Sequence, residues 1–380
     1  MLIERINQIL QIKDIQLEYK KKFGKEPYNL SSWLTSEKFK KEMIEAIKLP
    51  TDNSIIEYSY TYSFNKNLLE NLINKLIPEK KYSGGISLAA NTTQAIVTVT
   101  NMLRMLDYKN ICILNPAYFS VSKAHDAFSL PCDILTVERV NGEYVIPYEE
   151  ILKNDYDVIW ITSPIFSTSM YFSNQDIDFF EKLMEDGKLI VSDESFCTAG
   201  NEIINRINNT DNFIGMYSPH KAIGVNGYKF SAILFPKRFD EIIEHWVDIL
   251  TGNLPASTEI AINHYLSDNY DYCLEIYRNY MHDSYGKIKK LLESYNNISI
   301  DQVDDGSLFT LYFKNLTYEQ IKSIDFIRKM IFSTGSSVYP SYLNGFDEKF
   351  GFAFRINMAL YDNEFEIALK RLLDYLSEYK

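Results

Sequence analysis

The chain has 380 residues, 46% hydrophobic and 24% charged, and 39 Lys and Arg against 51 Asp and Glu give it a net charge of -12. That length suggests roughly two to three domains; the acidity argues against a surface that tracks nucleic-acid phosphates, and the hydrophobic content is too high for disorder. No apolar run approaches the roughly 18 residues of a membrane span, the N-terminus Met1-Leu2-Ile3-Glu4-Arg5 does not read as a signal peptide, and neither the scattered cysteines nor the isolated histidines form a disulfide or metal pattern. The expectation is a soluble, cytoplasmic globular protein with no nucleic-acid, membrane or metal partner.

Along the chain, Ile3, Ile6, Ile9, Ile12 and Ile15 recur near the helical period and predict an amphipathic N-terminal helix. Asn29-Leu30-Ser31-Ser32 breaks it as a loop, and a second helical stretch follows at 68–76. Beyond Gly84-Gly85 the pattern changes. Strand-like apolar runs at 86–89, 111–114, 132–137, 158–162, 189–193 and 230–235 alternate with helical segments such as 93–106 and 176–184. Short continuous apolar runs separated by helices are what a parallel sheet covered on both faces requires, so the predicted class is α/β. Residues 259–295 read as a long helical stretch with a break. The last hundred residues alternate strand-like pieces (309–313, 353–358) with helices ending at 364–379. The expected organisation is a large domain over 51–270 and a smaller α+β domain over 271–380, which the helical segment 1–50 joins.

Ligands of open parallel sheets bind at the carboxyl ends of the strands. The polar groups there are Ala90-Asn91-Thr92-Thr93, Asn115-Pro116-Ala117-Tyr118, Ser163-Pro164, Asp193-Glu194-Ser195-Phe196 and Ser218-Pro219-His220-Lys221. Taken in order, they resemble the aminotransferase class I/II family of pyridoxal-phosphate (PLP) enzymes of fold type I, over about residues 50 to 370. The most specific element is Ser218-Pro219-His220-Lys221-Ala222-Ile223-Gly224-Val225-Asn226-Gly227-Tyr228-Lys229. The family pattern there is Ser-x-x-Lys-x-x-Gly-x-x-Gly-x-Arg, and only the last position differs. Asp193, 28 residues earlier at a strand end, and Arg355 in Phe354-Arg355-Ile356-Asn357 extend the match.

The resemblance implies a role for each residue. PLP chemistry begins with an imine between the cofactor aldehyde and a lysine, for which Lys221 is the candidate; a solvated surface lysine is the alternative. Asp193 would stabilise the proton on the pyridine nitrogen, or else cap a helix. Asn91 and Thr92 at a helix start, with Ser218 and Lys229, would bind the phosphate, although Thr92 could simply cap that helix. Tyr118 would lie on the pyridine ring, and Tyr60 would be the tyrosine that dimers of the family lend across their interface. Arg355 would grip the substrate carboxylate, the alternative being a surface arginine on an edge strand. The implied cofactor is PLP, the implied substrate an amino acid with a keto acid as co-substrate, and the implied assembly a homodimer.

Three departures stand out. The family's Asn-Pro-x-Asn-Pro-Thr-Gly reads here Ser163-Pro164-Ile165-Phe166-Ser167-Thr168-Ser169, with Phe166 in place of an asparagine that donates to the cofactor's ring oxygen. Phe196 stands where a tyrosine donates to the same oxygen, and Lys229 replaces the phosphate-clamping arginine. Losing both donors should raise the pKa of the protonated imine. A phenylalanine after the aspartate and a lysine for the arginine also occur in a PLP-dependent branch that oxidises or hydroxylates arginine with oxygen, although that branch keeps the asparagine. The expected activity is aminotransfer first. The alternatives are amino acid oxidation or hydroxylation, decarboxylation or elimination on the same scaffold, and an inactive binding protein. A nicotinamide enzyme is disfavoured, because Gly84-Gly85 lacks the Gly-x-Gly-x-x-Gly spacing.

Overall fold

The structure, a computed structural model, describes residues 2–32, 34–47, 74–75, 84–198, 200–222, 224–227, 229–245, 254, 256–264, 270–304 and 306–379. Tyr60 and most of the predicted helical stretch 68–76 lie outside the described residues.

The site is carried by a seven-stranded sheet. Its strands are β1 (Gly85–Ala89), β2 (Ile111–Asn115), β3 (Asp133–Thr136), β4 (Val158–Thr162), β5 (Leu189–Glu194), β6 (Phe213–Tyr217) and β7 (Ser231–Phe235). They lie in the order β1-β7-β6-β5-β4-β2-β3. Helices cross between them, among them Thr92–Met105, Phe119–Ala127 and Asn174–Glu185. The central strands are buried along their whole length, as their unbroken apolar runs require. Apolar clusters pack on the sheet's two faces, one around Trp160 and Val191 and one around Ile159 and Ile190. Two features differ from the sequence reading. Residues 230–235 give a strand that runs antiparallel to both its neighbours, β1 and β6. The strand β6 itself was not among those predicted. Its central Gly215 reads as a breaker, yet a Cβ there would come within 2.3 Å of the Tyr217 hydroxyl and 2.6 Å of its ring, so the glycine is demanded by packing.

A second, antiparallel sheet contains β8 (Ile298–Ile300), β9 (Leu308–Phe313), β10 (Tyr339–Pro340) and β11 (Phe352–Asn357), in the order β8-β9-β11-β10. The predicted long helical stretch is present as Ala256–His264 and Tyr270–Leu292. The first helix, Leu2–Phe23, buries Ile12, Ile15 and Tyr19 in one cluster with Phe326, Leu369 and Leu373 near the C-terminus. Arg355 is not a surface residue on an edge strand. It lies on β11 between β9 and β10, opposite Thr310 and Tyr339, and is 1% exposed.

Residues 30–32 and 34–36 form a strap against the second sheet. The Ser31 hydroxyl donates to the Arg355 carbonyl at 2.5 Å and accepts from the Tyr339 amide at 2.7 Å. Asn357 Nδ2 donates to the carbonyls of Ser32 and Leu34 at 2.7 and 3.2 Å. This strap brings Leu34 and Thr35 over the ends of the large sheet.

Candidate active site

Lys221 stands on a single helical turn, Pro219–Ala222, directly after β6. The turn is closed by Lys221 N–H to Ser218 O (2.8 Å), Gly224 N–H to Lys221 O (3.1 Å) and Val225 N–H to His220 O (2.8 Å). Gly224 has φ +70°, and a Cβ there would come within 2.5 Å of the Phe39 ring. The glycine three residues after the lysine is therefore required twice, by conformation and by space.

A cavity of about 460 Å³ opens over the ends of the large sheet's strands, within the usual range of roughly 300–1,000 Å³ for small-molecule sites. Asn91, Thr92, Tyr118, Phe166, Asp193, Phe196, Lys221 and Lys229 all line it. Asn91 caps the helix Thr92–Met105 by accepting from Gln94 N–H at 3.0 Å, which leaves the Thr92 hydroxyl for other partners. That hydroxyl is the centre of a polar cluster. It lies 2.9 Å from Ser218 Oγ, 3.4 Å from Ser231 Oγ, 3.0 Å from Ser195 Oγ and 3.2 Å from Lys221 Nζ. Capping of this helix belongs to Asn91, not Thr92.

Asp193, next to last in β5, lines the cavity and is 3% exposed. Its Oδ1 accepts from Ser195 N–H (3.1 Å) and Ser195 Oγ–H (2.5 Å), so the carboxylate caps a turn rather than a helix. Burial raises its pKa, against the opposing pull of Lys221 and of the Ser195 hydrogen bonds. The Lys221 amine is lowered to about 8, because burial disfavours its charge; Asp193 works against this and Lys229 adds to it. His220, buried beside it, is pushed down to about 3 by burial and by Lys221, and so is neutral.

Phe196 lies in the turn after Asp193, with Lys221 Nζ 4.4 Å from its ring centroid. Phe166 sits in a tight loop closed by Ile165 N–H to Met170 O (2.8 Å) and tied to the second sheet by Thr310 Oγ–H to Ser167 O (2.8 Å). Its ring is 6.0 Å from that of Tyr118. Lys229 is exposed at the cavity rim. Arg355 stands beyond the lining, with Nη2 donating to Ser31 O at 3.2 Å and the guanidinium 5.0 Å from the centroid of the Tyr339 ring. Burial lowers its pKa to about 10, while Tyr339 and Tyr118 oppose the shift.

Sequence reasoning named Ser195 and Asn357 only as neighbours of Asp193 and Arg355, with no role, and did not name Ser231, Leu34 or Thr35 as site residues. Ser231 comes to the site because it pairs with Ala89, three residues before Thr92. Leu34 and Thr35 arrive through the strap. Among the described residues, no group of His, Cys, Asp and Glu could hold a metal ion, and no helix is long and apolar enough to cross a membrane.

No protein-family model and no curated protein matches the sequence. Solved structures do match in shape. A methionine aminotransferase of Escherichia coli superposes with a TM-score of 0.77 at 12% identity, over 96% of each chain. A probable N-succinyldiaminopimelate aminotransferase of Thermus thermophilus gives 0.77 at 13% identity, covering 97% of this chain and 100% of the other. The PLP-bound C-S lyase of Staphylococcus hominis gives 0.71 at 15% identity, covering 90% and 89%. Likeness at such low identity speaks for architecture, and the architecture it shows is the type I fold of PLP-dependent enzymes.

Proposed function

We propose that this chain is a PLP-dependent enzyme acting on the amino group of an amino acid, with amino-group transfer as its reaction. One convergence carries the reading: Lys221 Nζ, the buried Asp193 carboxylate and the hydroxyls around Thr92 meet at a single cavity. The donor set fits the cofactor. A buried carboxylate suits a protonated pyridine nitrogen. Hydroxyls beside the N-terminus of the helix Thr92–Met105 suit a phosphate, because unpaired backbone N–H groups and the helix dipole favour an anion there. When bound, PLP supplies an electron sink for the charge left as a substrate bond breaks.

The protein's own residues supply the rest. Lys221, with its amine near 8, would hold the cofactor through its aldehyde and, when its amine is free, would move a proton at the substrate carbon near neutral pH. Asp193 would pair with the protonated pyridine nitrogen. Asn91, Thr92, Ser218 and Lys229 form the phosphate end. Tyr118 offers a ring face, and Arg355 is the cation for a substrate carboxylate. The reading extends to a large domain over 51–270, a small domain of 1–50 and 271–380, a cytoplasmic location and a homodimer in which Tyr60 reaches the partner's site. Light scattering of the active protein should return twice 44.3 kDa; a fully active monomer contradicts the dimer.

The aromatic pair Phe166 and Phe196 at the cavity favours a second reading, in which the same machinery oxidises, decarboxylates or eliminates. A panel of amino acids with PLP separates the two. Amino acid consumption that depends on an added keto acid supports transfer. Release of ammonia or carbon dioxide, or uptake of oxygen, without a keto acid supports the second reading. No turnover of any amino acid would leave an inactive binding protein.

A further inference from the structure

Phe196 has no hydroxyl to offer a ligand, yet its position is tightly specified. The turn that carries it is fixed from both sides, by Asp193 Oδ1 on Ser195 and by Cys197 N–H donating to Glu194 O at 3.0 Å. Glu194, 1% exposed, accepts the Ile203 amide through Oε2 at 2.8 Å and so closes the loop that follows. Across the cavity, the Lys221 ammonium lies 4.4 Å from the centroid of the Phe196 ring and 3.2 Å from Thr92 Oγ1. A cation within about 6 Å of an aromatic centroid is attracted by the negative face of the ring, the more so where water is excluded.

We propose that Phe196 is a positioning residue for Lys221: its ring seats the lysine ammonium against Thr92 Oγ1, fixing where Nζ stands and favouring its charged form whenever the lysine is not bonded to another group. This rests on the reading of Lys221 as the cofactor-bearing lysine, and it gives the missing phenol a physical counterpart. A tyrosine here would address the cofactor through its hydroxyl and the lysine through its ring, and phenylalanine keeps only the second contact. The groups that face Lys221 are Asp193 from β5, Lys229 beyond its own turn and the adjacent His220, which is neutral. Burial and Lys229 pull the amine toward neutrality, and Asp193 and the ring oppose them.

The test reads the amine directly, in the full-length protein freed of cofactor. Competitive labelling with trace acetic anhydride across a pH series, quantified on the Lys221 peptide by mass spectrometry, yields its pKa. Burial, Asp193 and Lys229 alone set the amine at about 8, and the ring should hold wild type above that value. Phe196→Leu should lower the wild-type value by about 0.4–1.5 units, the span of cation–π strengths divided by the energy of one pKa unit. Phe196→Tyr, which keeps the ring face, should restore it. Replacing Phe196 by 3,4,5-trifluorophenylalanine keeps shape and fold while weakening the ring's negative face, and should lower the value part of the way. An unchanged pKa in both the leucine and trifluorinated proteins overturns the proposal. Failure of the cofactor reading is separate, since it would show as no borohydride-trapped pyridoxyl group on Lys221 in wild type, whatever its pKa.

Discussion

A lysine whose amine is held near 8 inside a folded protein should cost that protein stability, and replacing it should show how much. The ordinary lysine value of 10.5 falls to about 8 at Lys221, chiefly through burial. At roughly 1.4 kcal/mol per unit, carrying the charge into the fold costs about 3 kcal/mol at neutral pH. Lys221→Met keeps most of the side chain's length and removes the charge. It gives up the hydrogen bond to Thr92 Oγ1, worth about 1 kcal/mol, so the cofactor-free variant should be more stable than wild type by about 2 kcal/mol. For domains of 150–250 residues 1 kcal/mol moves the midpoint by about 2–4 °C, which puts the expected gain on the order of 5 °C in a thermal melt at pH 7. The pH dependence gives a second check. Below pH 8 the folded and unfolded chains both carry the proton and the penalty is complete. Between about 8 and 10.5 the unfolded chain binds more protons than the folded one, so wild-type stability rises with pH and the advantage of Lys221→Met shrinks. A variant that melts at or below the wild-type temperature at pH 7, or a gap that stays constant to pH 10, would refute the assignment of Lys221 as a desolvated amine.

Thr92→Val removes the hydroxyl shared by Ser195, Ser218, Ser231 and Lys221; a lost hydrogen bond to a charged phosphate, about 1.5–3 kcal/mol, should weaken PLP affinity roughly 10- to 100-fold in a fluorescence titration. Away from the site, Asp301 accepts from Arg139 Nε at 2.9 Å and from Tyr144 at 2.7 Å, with the Arg139 guanidinium 3.9 Å from the Tyr312 ring centroid. Asp301→Ala strands that cation and should cost about 3–5 kcal/mol in urea unfolding, while Arg139→Met with Asp301→Leu should recover most of it. Restoring the two donors, with Phe166→Asn and Phe196→Tyr together, should shift the loss of the cofactor's protonated-linkage absorbance to lower pH than in wild type; a shared midpoint would mean the rings only fill space.

Much of the fold was legible because the sheet's strands are continuous apolar runs, which only a sheet buried on both faces demands. The strand Phe213–Tyr217 escaped because Gly215 imitates a turn when its Tyr217 contact is unseen. The antiparallel sense of Ser231–Phe235 is a matter of connection, which no local pattern encodes. At the site, Lys221 was legible through Gly224, whose backbone and proximity to Phe39 leave no room for another residue. Asp193 was legible as the acid ending an apolar strand. Ser231, Asn357 and Leu34 were not, because they reach the cavity by strand register and by a strap from a distant part of the chain. Arg355 was found by its neighbours, but its burial depends on β9 and β10 flanking it, and that is a tertiary fact.

The central claim is that Lys221 carries pyridoxal phosphate. Incubating the purified protein with PLP, reducing with borohydride and mapping the modified peptides tests it most directly. The account predicts a pyridoxyl group on Lys221, lost in Lys221→Ala. An adduct on the rim lysine Lys229, or on no lysine at all, would contradict it.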